Sequence, residues 1–191
     1  SLPVNSVKEL IALARAKPGG LNYASGPSGT AGHLAAELFN AMAGVAITRI
    51  PHKGTAPALN SVLSGEVQIM FIAGNSIVPH VKSGSVRALA VTSAGPSALA
   101  PGMPTVAASG VPGYEATAMT GMFAPDRLPA ALVKRLNQEI VRALNQPAVK
   151  ERFFNAGIEV VGSSPEQFIA IIKSEIATNS KVIRDVGIRI D

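Results

Sequence analysis

The chain has 191 residues, 47% hydrophobic and 15% charged, with a formal net charge of +5. That balance describes a globular α/β-sized domain or pair of small lobes rather than a disordered segment. Cysteine and tryptophan are absent, which excludes thiol catalysis, disulfides and thiolate metal sites and leaves the core to Ala, Val, Leu and Ile.

The charge is mild for the length and forms no basic stripe interleaved with aromatics, so no nucleic-acid partner is expected. No run approaches the roughly 18 apolar residues of a membrane span, so the chain is not expected to be membrane-embedded. The start, "SLPVNSVKEL", has neither the basic nor the apolar region of a signal peptide and no initiator Met. It reads as the interior of a longer chain. Between residues 10 and 114 stand only two acids, Glu37 and Glu66, against six bases: Arg15, Lys17, Arg49, Lys53, Lys82 and Arg87. This part of the chain tolerates anions.

In chain order, Ser6-Val-Lys-Glu9 is a capping box ahead of an apolar stripe at Val7, Leu10, Ile11 and Ala14. That helix ends near "KPGG". "LNYAS" reads as a strand, and a loop at 25–29 leads into a helix with Leu34, Leu38, Ala41 and Met42 on one face. "VAITRIP" is a strand. Thr55 caps a short helix that carries Pro57 in its first turn and closes at Gly65. "VQIMF" is a strand, a helix follows near 76–83, and "VRALAVTS" is a fourth strand.

Alternation of helix and strand with short loops argues for a parallel sheet over residues 1–93. Residues 94–114, rich in Pro and Gly, read as an extended connection with one short helix. "ATAMTGMFAP" reads as another strand. Helices are predicted at 130–145, 147–156 and 165–185, with the short strand "GIEVV" between the last two. The C-terminal part is too poor in strand to complete a sheet, so a further N-terminal part is expected to belong with it. The expected division is a ligand-binding lobe at 1–122 and the helical part of a second lobe at 123–191.

In open α/β sheets, ligands sit beyond the carboxyl ends of the strands. The loop 25–29 occupies that place. Gly26 and Gly29 remove side-chain bulk and allow positive φ, Ser25, Ser28 and Thr30 supply hydroxyls, and Pro27 is counted with them among the candidate ligand-binding residues. The helix that follows offers unpaired first-turn amides at the positive end of its dipole. Together these form a candidate anion cradle; the competing reading is that Ser28 merely caps the helix. Gly29 is followed by Thr30-Ala31, not by the Lys-Ser/Thr of a P-loop, and Gly26-x-x-Gly29-x-x-Gly32 is not the dinucleotide spacing. A carboxylate fits this loop better than a nucleotide. Two further strand-to-helix loops, with Thr55 and Ala56 in one and Gly74 and Asn75 in the next, are expected to converge on the same sheet edge.

His33, His52 and His80 have no second histidine or carboxylate at metal-ligand spacing, and no Gly-x-Ser-x-Gly elbow is present. A Ser28–His33 pair oriented by Glu37 is the remaining nucleophile arrangement. Binding without turnover, without metal or cofactor, is the expected chemistry.

The stretches "LNYASGPSGTAGHLAAELF", "IPHKGTAPALNSVLSGEVQIMF", "VKSGSVRALAVTS", "MPTVAASGVPGYEATAMTGMFAPDRLPAALVKRLNQEI" and "VVGSSPEQF" together resemble the Bug-type (TctC-like) solute-binding receptors of tripartite tricarboxylate transporters. The resemblance covers nearly the whole chain, in order. It implies a periplasmic-binding-protein type II-like α/β fold, two lobes closing by a hinge, with the first lobe incomplete in this chain. It also implies a periplasmic location, a small carboxylate as ligand, and the two membrane subunits of the transporter as partners. In such receptors the loop matching Ser25–Thr30 holds one ligand carboxylate through amides, hydroxyls and water. The facing Pro/Gly-rich motif of the other lobe is absent from this sequence. His52 stands where the family often has Tyr, and Met119 near where it often has an aromatic. Two alternatives of other classes remain open: the effector-sensing domain of a transcription regulator, and a hydrolase using Ser28 and His33.

Overall fold

The structure, a computed structural model, describes residues 2–188. Two compact units are present. One runs to Ala118 and takes in the chain again from Lys181; the other is Met119–Ser180.

The first unit opens with α1 (Val7–Ala16), whose N-cap Ser6 accepts a hydrogen bond from the Glu9 amide. The Glu9 carboxylate reaches back one residue further than a standard capping box, to the Asn5 amide at 2.6 Å. Its buried residues are Val7, Leu10, Ile11 and Ala14, the stripe read from the sequence. There follow β1 (Asn22–Ser25), α2 (Ala31–Ala43), β2 (Thr48–Pro51), α3 (Thr55–Leu63), β3 (Ile69–Met70) and α4 (Gly74–Lys82).

The three strands are parallel, in the order β2-β1-β3. The chain therefore steps from β1 to one side through α2, then crosses to the other side through α3. Side chains alternate across the sheet. Tyr23 joins the larger core with residues of α1, α2 and the segment 106–114, while Ala24 packs with Ala58 and Val67 on the α3 side. β1 is thus covered on both faces, and the reversal of direction beside it is the kind of switch point where α/β sheets bind ligands.

Several sequence expectations are corrected. The buried face of α2 is His33, Ala35, Ala36, Phe39 and Ala43 rather than Leu34, Leu38, Ala41 and Met42; Met42 is 41% exposed. The alanines let the helix lie close to the sheet while Phe39 fills the gap, its ring 5.6 Å from Phe71 and 6.1 Å from Tyr114. Thr55 does not cap α3: Gly54 is the N-cap and no side chain caps that helix.

The predicted fourth strand, "VRALAVTS", forms only a single bridge, Val91 to Thr105. Its backbone bonds go to a proline-interrupted loop, Val91 N to Pro104 O and Val106 N to Val91 O, which leaves no ladder to extend. Segment 94–114 contains turns but no helix. "ATAMTGMFAP" is not a strand: Ala116 bonds Thr92, and the exposed residues beyond it form no ladder. "GIEVV" is likewise not a strand: the Gly157 and Ile158 amides turn back to close the preceding helix.

The second unit holds α5 (Ala130–Leu144), α6 (Pro147–Asn155) and most of α7 (Pro165–Val186). Ser164 and Gln167 cap α7 reciprocally: the Gln167 amide donates to Ser164 Oγ at 3.2 Å and the Ser164 amide to Gln167 Oε1 at 2.9 Å. Pro165 takes the first helical position, where its missing amide proton costs nothing. Among the described residues, no helix is long and apolar enough to cross a membrane.

Candidate anion-binding site

Because the sheet is parallel, the loops leaving β1, β2 and β3 all emerge at its carboxyl edge. Two of them touch there. A Cβ built on Gly26 would lie 3.7 Å from the Gly54 carbonyl carbon, and one built on Gly32 would sit 2.5 Å from the Phe71 carbonyl oxygen just after β3. Glycine at 32 is therefore what lets the first turn of α2 approach the third loop. Each of α2, α3 and α4 begins without a side-chain cap, unlike α1. Their first-turn amides are available to something other than the protein's own side chains.

Within the first loop, Ser25 and Gly26 are buried, Ser28 and Gly29 half-buried, and Pro27 and Thr30 exposed. Gly29 holds a left-handed φ of +79°, which a side chain would strain. The donors are unevenly available. The Gly29 amide donates to His33 Nδ1 at 3.1 Å, and both the amide and hydroxyl of Thr30 donate to the Pro27 carbonyl. Ser28 does not cap α2, whose N-cap is Thr30. The Ser28 amide and hydroxyl hydrogen meet no acceptor among the described residues.

Arg49 is the residue that the site reading of the sequence missed. From β2 its Nε donates to Ser25 Oγ at 2.7 Å, one terminal nitrogen to the Gly26 carbonyl at 2.9 Å, and the other to Ser28 Oγ at 3.1 Å. The available signal was an arginine inside a short apolar strand, where a charge needs partners. Register then sets Arg49 directly beside Tyr23.

Beneath the loop, the Tyr23 hydroxyl donates to the Glu37 carboxylate, and burial together with that bond pushes the phenol well above the ordinary tyrosine range. His33 is buried, which lowers its pKa; the Arg49 charge acts in the same direction and Glu37 opposes it. Neutral His33 can accept at Nδ1 from Gly29 while its Nε2 stands 4.0 Å from Glu37. The Ser28 hydroxyl is thus bonded to Arg49 and not to His33, so the nucleophile arrangement considered from the sequence is not assembled.

The second loop places Thr55 and Ala56 as the first exposed residues of α3, beside Gly26 through Gly54. Gly74 and Asn75 begin α4 and are also exposed. Asn75 accepts from Ser76 at 3.4 Å within its own turn, and no side-chain bond ties it to the first two loops. His52 follows β2, its amide donating to the Ser25 carbonyl and its Nε2 lying 3.1 Å from Ser61 Oγ. The described residues contain no cluster of His, Asp or Glu able to hold a metal ion.

Comparison with known proteins adds the family. Residues 1–188 match the family model described as tripartite tricarboxylate transporter family receptor, TctC. The protein BugT of Bordetella pertussis is 34% identical over 99% of this chain, which spans 58% of that relative. Among solved structures, an R. palustris protein with adipate is 37% identical, with a TM-score of 0.88 over 98% of this chain and 63% of that one. MatC from Rhodopseudomonas palustris, with bound malate, is 29% identical, with a TM-score of 0.78 over 95% of this chain and 63% of the other. The periplasmic binding protein BugD gives 30% identity and a TM-score of 0.82, covering 99% and 64%. The fold is accordingly that of the periplasmic binding proteins, and the chain spans about three fifths of the length of these relatives. This chain belongs to the tripartite tricarboxylate transporter receptor family.

Proposed function

We propose that the protein is an extracytoplasmic receptor that captures a small carboxylate anion and presents it to the membrane subunits of a tripartite transporter. The observation that carries this reading is the carboxyl edge of the sheet: the uncapped starts of α2 and α3 meet at a glycine loop pinned by a cation. Helix dipoles and unpaired amides favour a small anion there without any metal. The adipate and malate bound in the two R. palustris structures support a carboxylate. Membership in a receptor family favours transport over the regulator and hydrolase alternatives, and BugD supports a periplasmic location.

In this reading Ser28 is the central contact, offering its amide and hydroxyl to one carboxylate. The first-turn amides of α2 and α3, at Ala31 and at Thr55 and Ala56, complete the cradle, with Gly74 and Asn75 at its margin. Gly29 and Thr30 shape the loop, because their own donors are engaged by His33 and Pro27. Capture works by differential affinity: the closed receptor holds the anion better than the open one, so the anion shifts the population toward the form the transporter recognises. No step requires a covalent change in the ligand.

The test is calorimetric titration of the full-length protein with adipate, malate, a tricarboxylate, an acidic amino acid and an aromatic acid, with a sugar and inorganic phosphate as controls. A carboxylate is expected to bind, and Ser28→Ala to weaken it about tenfold or more, the worth of a hydrogen bond to a charged group. Thr30→Ala is expected to do less. Binding of the controls alone, or of nothing, overturns the reading.

A further inference from the structure

We infer that Arg49 sets both the charge and the geometry of this site, holding Ser28 as a donor and biasing the pocket toward anions over neutral molecules of the same shape. The inference rests on the receptor reading above and adds to it a residue outside the loop.

Three observations carry it. First, the guanidinium spans the loop with a different nitrogen on each of three acceptors, at Ser25, Gly26 and Ser28. Only the planar arginine fork offers donors in that arrangement; a lysine ammonium is a single point. Second, Arg49 has no carboxylate partner among the described residues. The ion pairs present there are His33–Glu37 and Arg142–Glu139, and Glu37 is further engaged by the Tyr23 hydroxyl. A half-buried cation satisfied only by neutral oxygens keeps most of its charge available to an incoming anion. Third, the hydroxyls it binds differ in what they do next. The Ser25 hydroxyl donates a hydrogen bond to the Gly26 carbonyl at 3.0 Å, whereas the Ser28 hydroxyl hydrogen meets no acceptor among the described residues. A hydroxyl that accepts from a cation becomes a better donor, so the positive charge is relayed through Ser28 to whatever that proton meets.

The experiment titrates adipate and malate into the full-length protein, its Arg49→Lys variant and its Arg49→Met variant, at low and high ionic strength. Arg49→Met is expected to weaken binding about 10- to 100-fold and to flatten its salt dependence. Arg49→Lys is expected to retain the salt dependence while losing about tenfold through the broken fork. Unchanged affinity in Arg49→Met, or a loss that leaves the salt dependence as in the parent, overturns the inference; the second result makes Arg49 a loop prop alone. If Arg49→Met does not fold, the parent still decides the matter by nitrogen-15 NMR. The Arg49 Nε–H resonance is expected to be slow to exchange and to move when adipate or malate is added. A resonance that stays fixed while either acid binds overturns the inference. A parent that binds neither these two acids nor the other carboxylates overturns the receptor reading and this inference with it. A parent that binds while Arg49→Met binds equally well overturns the inference alone.

Discussion

The two compact units use equally good helix signals and reach different ends. In the first, α1 starts at a side-chain cap and buries its apolar stripe in a core shared with Tyr23, α2 and the segment 106–114. In the second, α7 starts at an equally complete capping box, yet no described residue of that unit is buried. Met122, Phe123 and Val161 are 73%, 76% and 79% exposed. Patterning and caps suffice to make a helix, whereas burial requires a second layer to bury against. Within the first unit that layer is β1, which presents Tyr23 to one core and Ala24 to the other.

The comparison is broken most directly at two phenylalanines. Phe39 is 1% exposed, and Phe39→Ala should cost about 3–5 kcal/mol in denaturant unfolding. Phe154 is 49% exposed, and Phe154→Ala should cost less than about 1 kcal/mol. Equal losses would show that the apolar surface of the second unit is buried in solution after all.

Two glycines sharpen it further. An alanine at Gly32 would place Cβ 2.5 Å from the Phe71 backbone carbonyl, which strand and core hold in place, so Gly32→Ala should cost about 1–3 kcal/mol. At Gly121 the nearest atoms, closer still, are the outer ring of Phe168, which can swing away; Gly121→Ala should stay under about 1 kcal/mol. Melting temperatures of the two variants at one pH decide this.

The smallest effect is a pH response confined to the first unit. The pKa of His33 is lowered in the fold, so as pH falls through the ordinary histidine value of 6.5 the unfolded chain takes up the proton first. The stability due to neutral His33 is complete above that value and is lost as pH drops toward the folded pKa. Melting temperature should fall between neutral and mildly acidic pH, and His33→Asn should flatten the fall. Glu166, in the second unit, is held below the usual carboxylate range by a backbone hydrogen bond and by Ser164. Its contribution is present above the carboxylate range and lost only in stronger acid. An undiminished response in His33→Asn would assign the pH sensitivity to another group.

Much of the chain was legible because its signals are local. The Ser6–Glu9 cap, the α1 stripe and the glycine loop of the first unit, and the helices α5, α6 and α7, follow from residues within one or two turns of each other. Strand readings at 86–93, 116–125 and 157–161 failed because a strand exists only where a partner ladder does, and prolines or exposure left those segments without one. The buried face of α2 was off because Phe39, Phe71 and Tyr114 come together only in the folded chain. The alternation of helix and strand over residues 1–93 by itself determined that this is an α/β protein, and the loop sequence 25–30 marked the place proposed for an anion. Tertiary structure decided what the loop's acceptors meet: parallel register brings Arg49 beside Tyr23 and under the loop, where it donates to Ser25, Gly26 and Ser28. Hydrogen bonds between residues more than twenty positions apart depend on where the backbone returns, which no local pattern encodes.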